Sequence, residues 1–208
     1  MSTPPPPAHR PYLQAVDRTD RSKGRYELTS FFATPGALDG LLCDMVGHFS
    51  GQLPRVDAIV GLDALGFVLA GGLAALTGKP AILLRKGGKL ALSGPELASS
   101  GTFDDYAAAR EGGKALEVRR DLVRRGMRLI VVDEWIETGA QMGAAVRLLE
   151  SLGAEVAGIG TLHLGAGADA LWAAYDVFAA NRSDEVQAQY EKEDEDREGV
   201  TRPASRSG

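Results

Sequence analysis

The stretch VVDEWIETGAQMGAA, Val131–Ala145, joins an apolar run to two adjacent acids, a Thr-Gly turn and an apolar pattern at helical spacing. Leu129–Val132 is too apolar to tolerate unpaired charge in its interior, so a buried strand is expected to end where Asp133 and Glu134 begin. Met142, Ala145, Val146 and Leu149 then recur on the inward face of a helix expected from Ala140 to Leu152. In an open α/β sheet, ligands sit beyond the carboxyl ends of the strands. The turn Glu137-Thr138-Gly139-Ala140-Gln141 leads into the helix, so its backbone N–H groups converge on the helix N-terminus. Such a turn favours phosphate, helped by the helix dipole at about 0.3–1 kcal/mol per charge. Two carboxylates one turn away repel phosphate, but they accept hydrogen bonds from vicinal hydroxyls and can help hold Mg2+ through water. Carboxylates for a diol beside a cradle for a phosphate describe a ribose 5-phosphate pocket. One acid at a strand end is as readily a helix cap or a solvated side chain; the weight rests on strand, acid pair, Thr-Gly and helix occurring together.

Outward from this stretch the chain alternates strand-like and helix-period segments from about Leu38. Leu38, Leu41, Leu42, Met45 and Phe49 form one helical stripe, with Cys43 and His48 beside it. Val56–Val60 reads as a strand, followed after Gly61-Leu62-Asp63 by an Ala/Leu/Gly-rich helix to about Thr77. Ala81–Leu84 is a further strand ending on Arg85-Lys86, and Glu155–Leu164 another. Between them, Gly87–Gly113 lacks a clear period and is expected to be irregular, the kind of long loop that serves as a lid or binding loop. Such alternation predicts an α/β fold: a mostly parallel central sheet flanked by helices.

With 208 residues, 44% of them hydrophobic, one core is expected. The net charge of −5 is concentrated: residues 182–200 hold eight acids against three bases, leaving the remainder neutral. No global basic field recommends nucleic acid as a partner. Residues 181–208 are expected to be a disordered acidic tail and residues 1–20 a disordered Pro-rich N-terminus, bracketing a domain over 21–180. The single cysteine, the absence of an 18-residue apolar run and the prolines near Met1 point to a cytoplasmic protein with no membrane span. His9, His48 and His163 share no ligand spacing, so no metal site made of protein side chains alone is expected. Gly165-Ala166-Gly167-Ala168-Asp169-Ala170 spells a dinucleotide fingerprint after a strand, but only Phe178-Ala179-Ala180 remains to supply the next strand and acid, so it is set aside.

Val131-Val132-Asp133-Glu134-Trp135-Ile136-Glu137-Thr138-Gly139 resembles the motif with which type I phosphoribosyltransferases bind 5-phosphoribosyl 1-pyrophosphate (PRPP). The resemblance is closest to the adenine phosphoribosyltransferases of that family. Ile59–Phe67 looks like their pyrophosphate loop, Leu83–Leu90 like their next strand and basic turn, and Glu111–Ala115 like their flexible catalytic loop. Four such motifs in order cover roughly Tyr26 to Ala180. The resemblance implies a small N-terminal hood, a flexible catalytic loop, a homodimer, Mg2+ bound with PRPP, and formation of AMP and pyrophosphate from adenine and PRPP. The alternatives are transfer to another base, or a non-catalytic PRPP-binding regulator.

On that resemblance Asp133 and Glu134 take the ribose hydroxyls, and Glu137, Thr138, Gly139, Ala140 and Gln141 the 5-phosphate. Asp63, Leu65, Gly66, Arg85, Lys86 and Lys89 meet the pyrophosphate, although three cations within five residues also suit a solvated turn. Glu111 matches the acid that protonates or orients the base, and Glu137 is its rival, because the hypoxanthine-guanine enzymes place an acid there. Tyr26 stands in the hood, where it can stack on a purine or simply pack. Three departures stand out: Leu65 where adenine enzymes have Arg, Ala140-Gln141 in place of Gly-Thr, and the altered hood sequence Arg25–Thr29.

Overall fold

The computed structural model describes residues 10–16, 26–102 and 115–183. Two short helices open the fold, α1 (Thr29–Ala33) and α2 (Ala37–His48), followed by β1 (Ala58–Leu62), α3 (Gly66–Thr77) and β2 (Ala81–Lys86). Then come β3 (Leu97–Ser99), β4 (Leu116–Arg119), β5 (Arg128–Ile136), α4 (Ala140–Ser151), β6 (Glu155–Leu164), α5 (Asp169–Ala174) and β7 (Val177–Arg182). The strands form one seven-stranded sheet in the order β3-β4-β2-β1-β5-β6-β7. The five strands from β2 to β7 in that order run parallel, and β4 joins β2 antiparallel at Arg85↔Glu117, with β3 antiparallel beyond it. This is the expected mostly parallel sheet flanked by helices.

The core divides along the two faces of the sheet. Leu129 and Val131 pack with Met142, Ala145, Val146 and Leu149 of α4 on one face. Ile130 and Val132 pack with Leu41, Met45, Leu69 and Leu73 from α2 and α3 on the other. Alternation along β5 therefore feeds both layers, and each fully buried Leu, Ile or Met stabilises the fold by roughly 1.5–3 kcal/mol. Among the described residues, no helix is long and apolar enough to cross a membrane.

Four sequence expectations need correction. First, β5 continues through the acid pair to Ile136, because β6 runs beside it and pairs Asp133↔Thr161, Trp135↔His163 and Ile136↔Leu164. Second, the stretch read as irregular from Gly87 to Gly113 contains β3, whose three residues are too short to show a period; residues 103–114 lie outside those described. Third, the N-terminal twenty residues are not uniformly structureless. Pro11–Ala15 forms a 3-10 turn on α2, where Asp44 Oδ2 accepts from Arg10 Nε at 3.0 Å and from Tyr12 Oη at 2.7 Å. Burial and this bond both push the Tyr12 phenol far above its ordinary pKa. Fourth, the boundary at residue 180 falls inside β7: Asn181 and Arg182 pair with His163 and Leu164, and Arg182 lies over the Trp172 ring at 4.4 Å.

Candidate active site

Three chain segments meet where β1, β2 and β5 end. Asp133, last of the buried residues that run unbroken through β5 from Leu129, is only 4% exposed. Its Oδ1 accepts from the Glu134 amide at 3.0 Å, and its Oδ2 accepts from Gln141 Nε2 at 3.0 Å. Burial, and secondly the adjoining Glu134 carboxyl, hold the Asp133 carboxyl well above the usual carboxylate range, while the Lys86 ammonium works in the opposite direction. Glu134 Oε2 is buried without a protein hydrogen-bond partner. One oxygen of the pair, Glu134 Oε2, is thus left without a donor, the condition a hydroxyl-rich or cationic ligand relieves.

The approach of α3 to this pair depends on glycine. A Cβ on Gly66 would stand 2.9 Å from Asp133 Oδ1 and 2.9 Å from the Val132 carbonyl oxygen. Leu65, at the N-cap of α3, packs on the apolar cluster beneath the hood. Asp63 is drawn the other way: its Oδ2 accepts from Arg85 Nε at 2.9 Å and from the Lys86 amide at 3.4 Å. It therefore fastens the end of β1 to the basic end of β2 and balances Arg85. Lys86 lies close enough to act on Asp133, whereas Lys89 is exposed in the turn that follows.

Beyond Ile136 the chain turns through Glu137, Thr138 and Gly139 into α4. Gly139 is the N-cap, with φ +77°, a conformation in which a side chain is strained. Thr138 Oγ1 accepts from the Ala140 amide at 3.3 Å. The Gln141 amide, expected at a phosphate, is directed to Asp133, so it ties the first turn of α4 to the acid pair. The set-aside glycines find their purpose here. A Cβ on Gly165 would lie 2.5 Å from the Glu137 carbonyl oxygen, and one on Gly167 would lie 3.0 Å from Thr138 Cα. They let the segment after β6 support the turn from below, and no dinucleotide loop is formed.

The hood closes the site on one side through aromatic contacts. Tyr26 meets Trp135 edge-on at 5.4 Å and His163 at 6.0 Å, while Trp135 stacks on His163 at 3.8 Å with 19° between the planes. Trp135 Nε1 donates to Glu137 Oε2 at 2.7 Å. The structure thus brings together Tyr26, Asp63, Leu65, Gly66, Arg85, Lys86, Asp133, Glu134 and the turn 137–141 around the strand ends. Glu111 lies outside the described residues. Trp135, Gly165 and Gly167 were absent from the sequence-derived site; the only signal for the glycines was their spacing, which imitates another motif.

Residues 43–196 match the model of the phosphoribosyl transferase domain family. The adenine phosphoribosyltransferase of Arthrobacter sp. strain FB24 is 37% identical over 136 residues, spanning 65% of this chain and 68% of that protein. Among solved structures, adenine phosphoribosyltransferase from Rhodothermus marinus superposes with a TM-score of 0.68 at 25% identity, covering 82% of this chain and 96% of that one. The Saccharomyces cerevisiae adenine phosphoribosyltransferase, complexed with adenine and an imino-altritol bisphosphate, gives a TM-score of 0.63 at 27% identity, covering 75% and 86%.

Proposed function

The chain belongs to the phosphoribosyltransferase family, and from that premise we propose that it transfers the 5-phosphoribosyl group of PRPP to adenine, yielding AMP and pyrophosphate in purine salvage. One observation carries most of the reading: the acid pair and the phosphate turn are locked together by the Asp133–Gln141 hydrogen bond, so diol and phosphate recognition share one rigid unit. In the reaction a purine nitrogen forms a bond to C1 of the ribose as the C1–O bond to pyrophosphate breaks. Positive charge grows on the sugar and negative charge on the leaving group, so the protein must fix the ribose, receive the pyrophosphate and exclude water. Asp133 and Glu134 hold the ribose hydroxyls, the turn 137–141 holds the 5-phosphate through its N–H groups, and Arg85, Lys86 and Lys89 face the pyrophosphate.

Mg2+ fits this arrangement. Hard oxygen donors suit it, and the buried Glu134 oxygen without a protein partner is free to face it directly or through water. Among the described residues no group of three His, Cys, Asp or Glu side chains could hold a metal, so the ion would draw further ligands from substrate oxygens. Bound there, it would supply charge neutralisation to the pyrophosphate.

Glu111, which lies outside the described residues, is assigned to the base on the family resemblance alone. In product-formation assays with PRPP, MgCl2 and adenine, Glu111→Gln is expected to lower kcat by about 10²-fold or more while sparing PRPP affinity. Hypoxanthine, guanine and xanthine belong in the same assay, because the carboxylate of Glu137 beside the aromatic cluster favours a second reading in which another purine is preferred. A protein that binds PRPP tightly but makes no nucleotide from any base is a regulator and no enzyme.

We also propose a homodimer. β2 lies inside the sheet, yet Ala81 and Leu83 on one face are exposed, as are Val68 and Leu76 on α3. An open apolar face on an interior strand calls for a cover, and a second copy supplies the same face in return. Leu83→Glu should convert a dimer sedimenting in the analytical ultracentrifuge to monomer; a monomeric parent would rule the dimer out.

A further inference from the structure

A carboxylate at the head of a phosphate turn is an electrostatic problem. Glu137 is exposed, and its side chain is long enough to reach N–H groups two or three residues on, as acids at helix N-termini do. In that position it would occupy the turn as an internal anion and repel a 5-phosphate, weakening binding on the order of 10²-fold at ~5 Å and an effective dielectric of about 20. The backbone cannot relieve this by shifting, because Glu137 is seated against Gly165.

We propose that Trp135 is a positioning residue that holds the Glu137 carboxylate clear of the phosphate turn, leaving the turn's N–H groups to the 5-phosphate of PRPP. The inference rests on the function proposed above. Trp135 is well built for the task. Its indole N–H donates to Glu137 Oε2 at 2.7 Å, and the ring cannot easily turn away: it stacks on His163 at 3.8 Å and receives Tyr26 edge-on at 5.4 Å. The backbone below is fixed by the Trp135↔His163 pairing of β5 with β6, and a hydrogen bond of 3.2 Å joins His163 Nε2 to Ser183 Oγ. A charge-assisted bond from so rigid a donor selects one position for an otherwise free side chain.

Trp135→Phe keeps a ring on His163 and removes the donor. The expected result is a rise of about tenfold in the KM and Kd for PRPP measured with MgCl2, because the released carboxylate samples the turn part of the time, with kcat at saturating PRPP changed less than threefold. Glu137→Ala should bind PRPP at least as well as the parent, and Trp135→Phe/Glu137→Ala should bind it as Glu137→Ala does. That rescue is a result mere ring packing would not produce. If Trp135→Phe weakens PRPP equally in both backgrounds, the ring acts by packing and the proposal fails; it fails also if Trp135→Phe binds PRPP like the parent. A parent that does not bind PRPP overturns the proposed function itself, and this inference with it.

Discussion

PRPP titrated calorimetrically into the Asp133→Asn, Glu134→Gln variant is expected to bind at least about 100-fold more weakly than to the parent. Two hydrogen bonds from ribose hydroxyls to carboxylates, each worth roughly 1.5–3 kcal/mol, become bonds to neutral amides that have donors of their own to satisfy. The free protein should respond in the opposite sense. Because burial and Glu134 raise the Asp133 carboxyl above its unfolded value, the folded state retains a proton that the unfolded state releases. Stability therefore falls as pH rises from the usual carboxylate range through the raised value, and an Asn at position 133 removes that loss. The variant's melting temperature near neutral pH should thus equal or exceed the parent's while its PRPP affinity collapses. Unaltered affinity in the folded variant would rule out the ribose assignment. A lowered melting temperature would show instead that the carboxylates support the fold.

Gly165→Ala is the second change with a large expected effect. The new methyl would face the Glu137 carbonyl oxygen at 2.5 Å, its Cα at 2.9 Å and its carbonyl carbon at 3.1 Å. All three are backbone atoms that no rotamer change can move aside. The Gly165 amide also donates to the Ile136 carbonyl oxygen at 2.6 Å, so separating the two segments loses a hydrogen bond as well. We expect a loss of roughly 2–4 kcal/mol in chemical denaturation, and PRPP binding weakened more than tenfold because the phosphate turn is displaced. Gly47→Ala is the matched control. It lies in α2 with nothing within 4 Å of the added Cβ, so it should stabilise by about 0.5–1 kcal/mol through helix propensity alone. If Gly165→Ala is as well tolerated as Gly47→Ala, the support beneath the turn does not matter.

The layers of this protein were legible along the chain. The alternation through Leu129–Val132 and the helical stripe Met142–Leu149 reflect which side chains must leave water, and hydrophobic periodicity records that locally. An acid pair followed by Thr-Gly is likewise local, because the nine consecutive residues 133–141 carry both the carboxylates and the turn. Contacts between segments far apart in the chain were not legible in this way. That β5 carries the acids past Val132 depends on β6 extending to Leu164 beside it, a pairing no window around Asp133 contains. Gln141 was read for its place in the turn, and its amide goes to Asp133 because α4 starts at the distance and rotation that bring the two within 3.0 Å. The glycines at 165 and 167 imitate a dinucleotide loop, since glycine marks any close backbone approach without saying what approaches. Trp135 showed only an aromatic residue after two acids; its stack on His163, twenty-eight positions away, and its bond to Glu137 follow from strand register. Composition encodes what is buried, whereas partnership depends on how packed elements are aligned, and that alignment is set by the whole core at once.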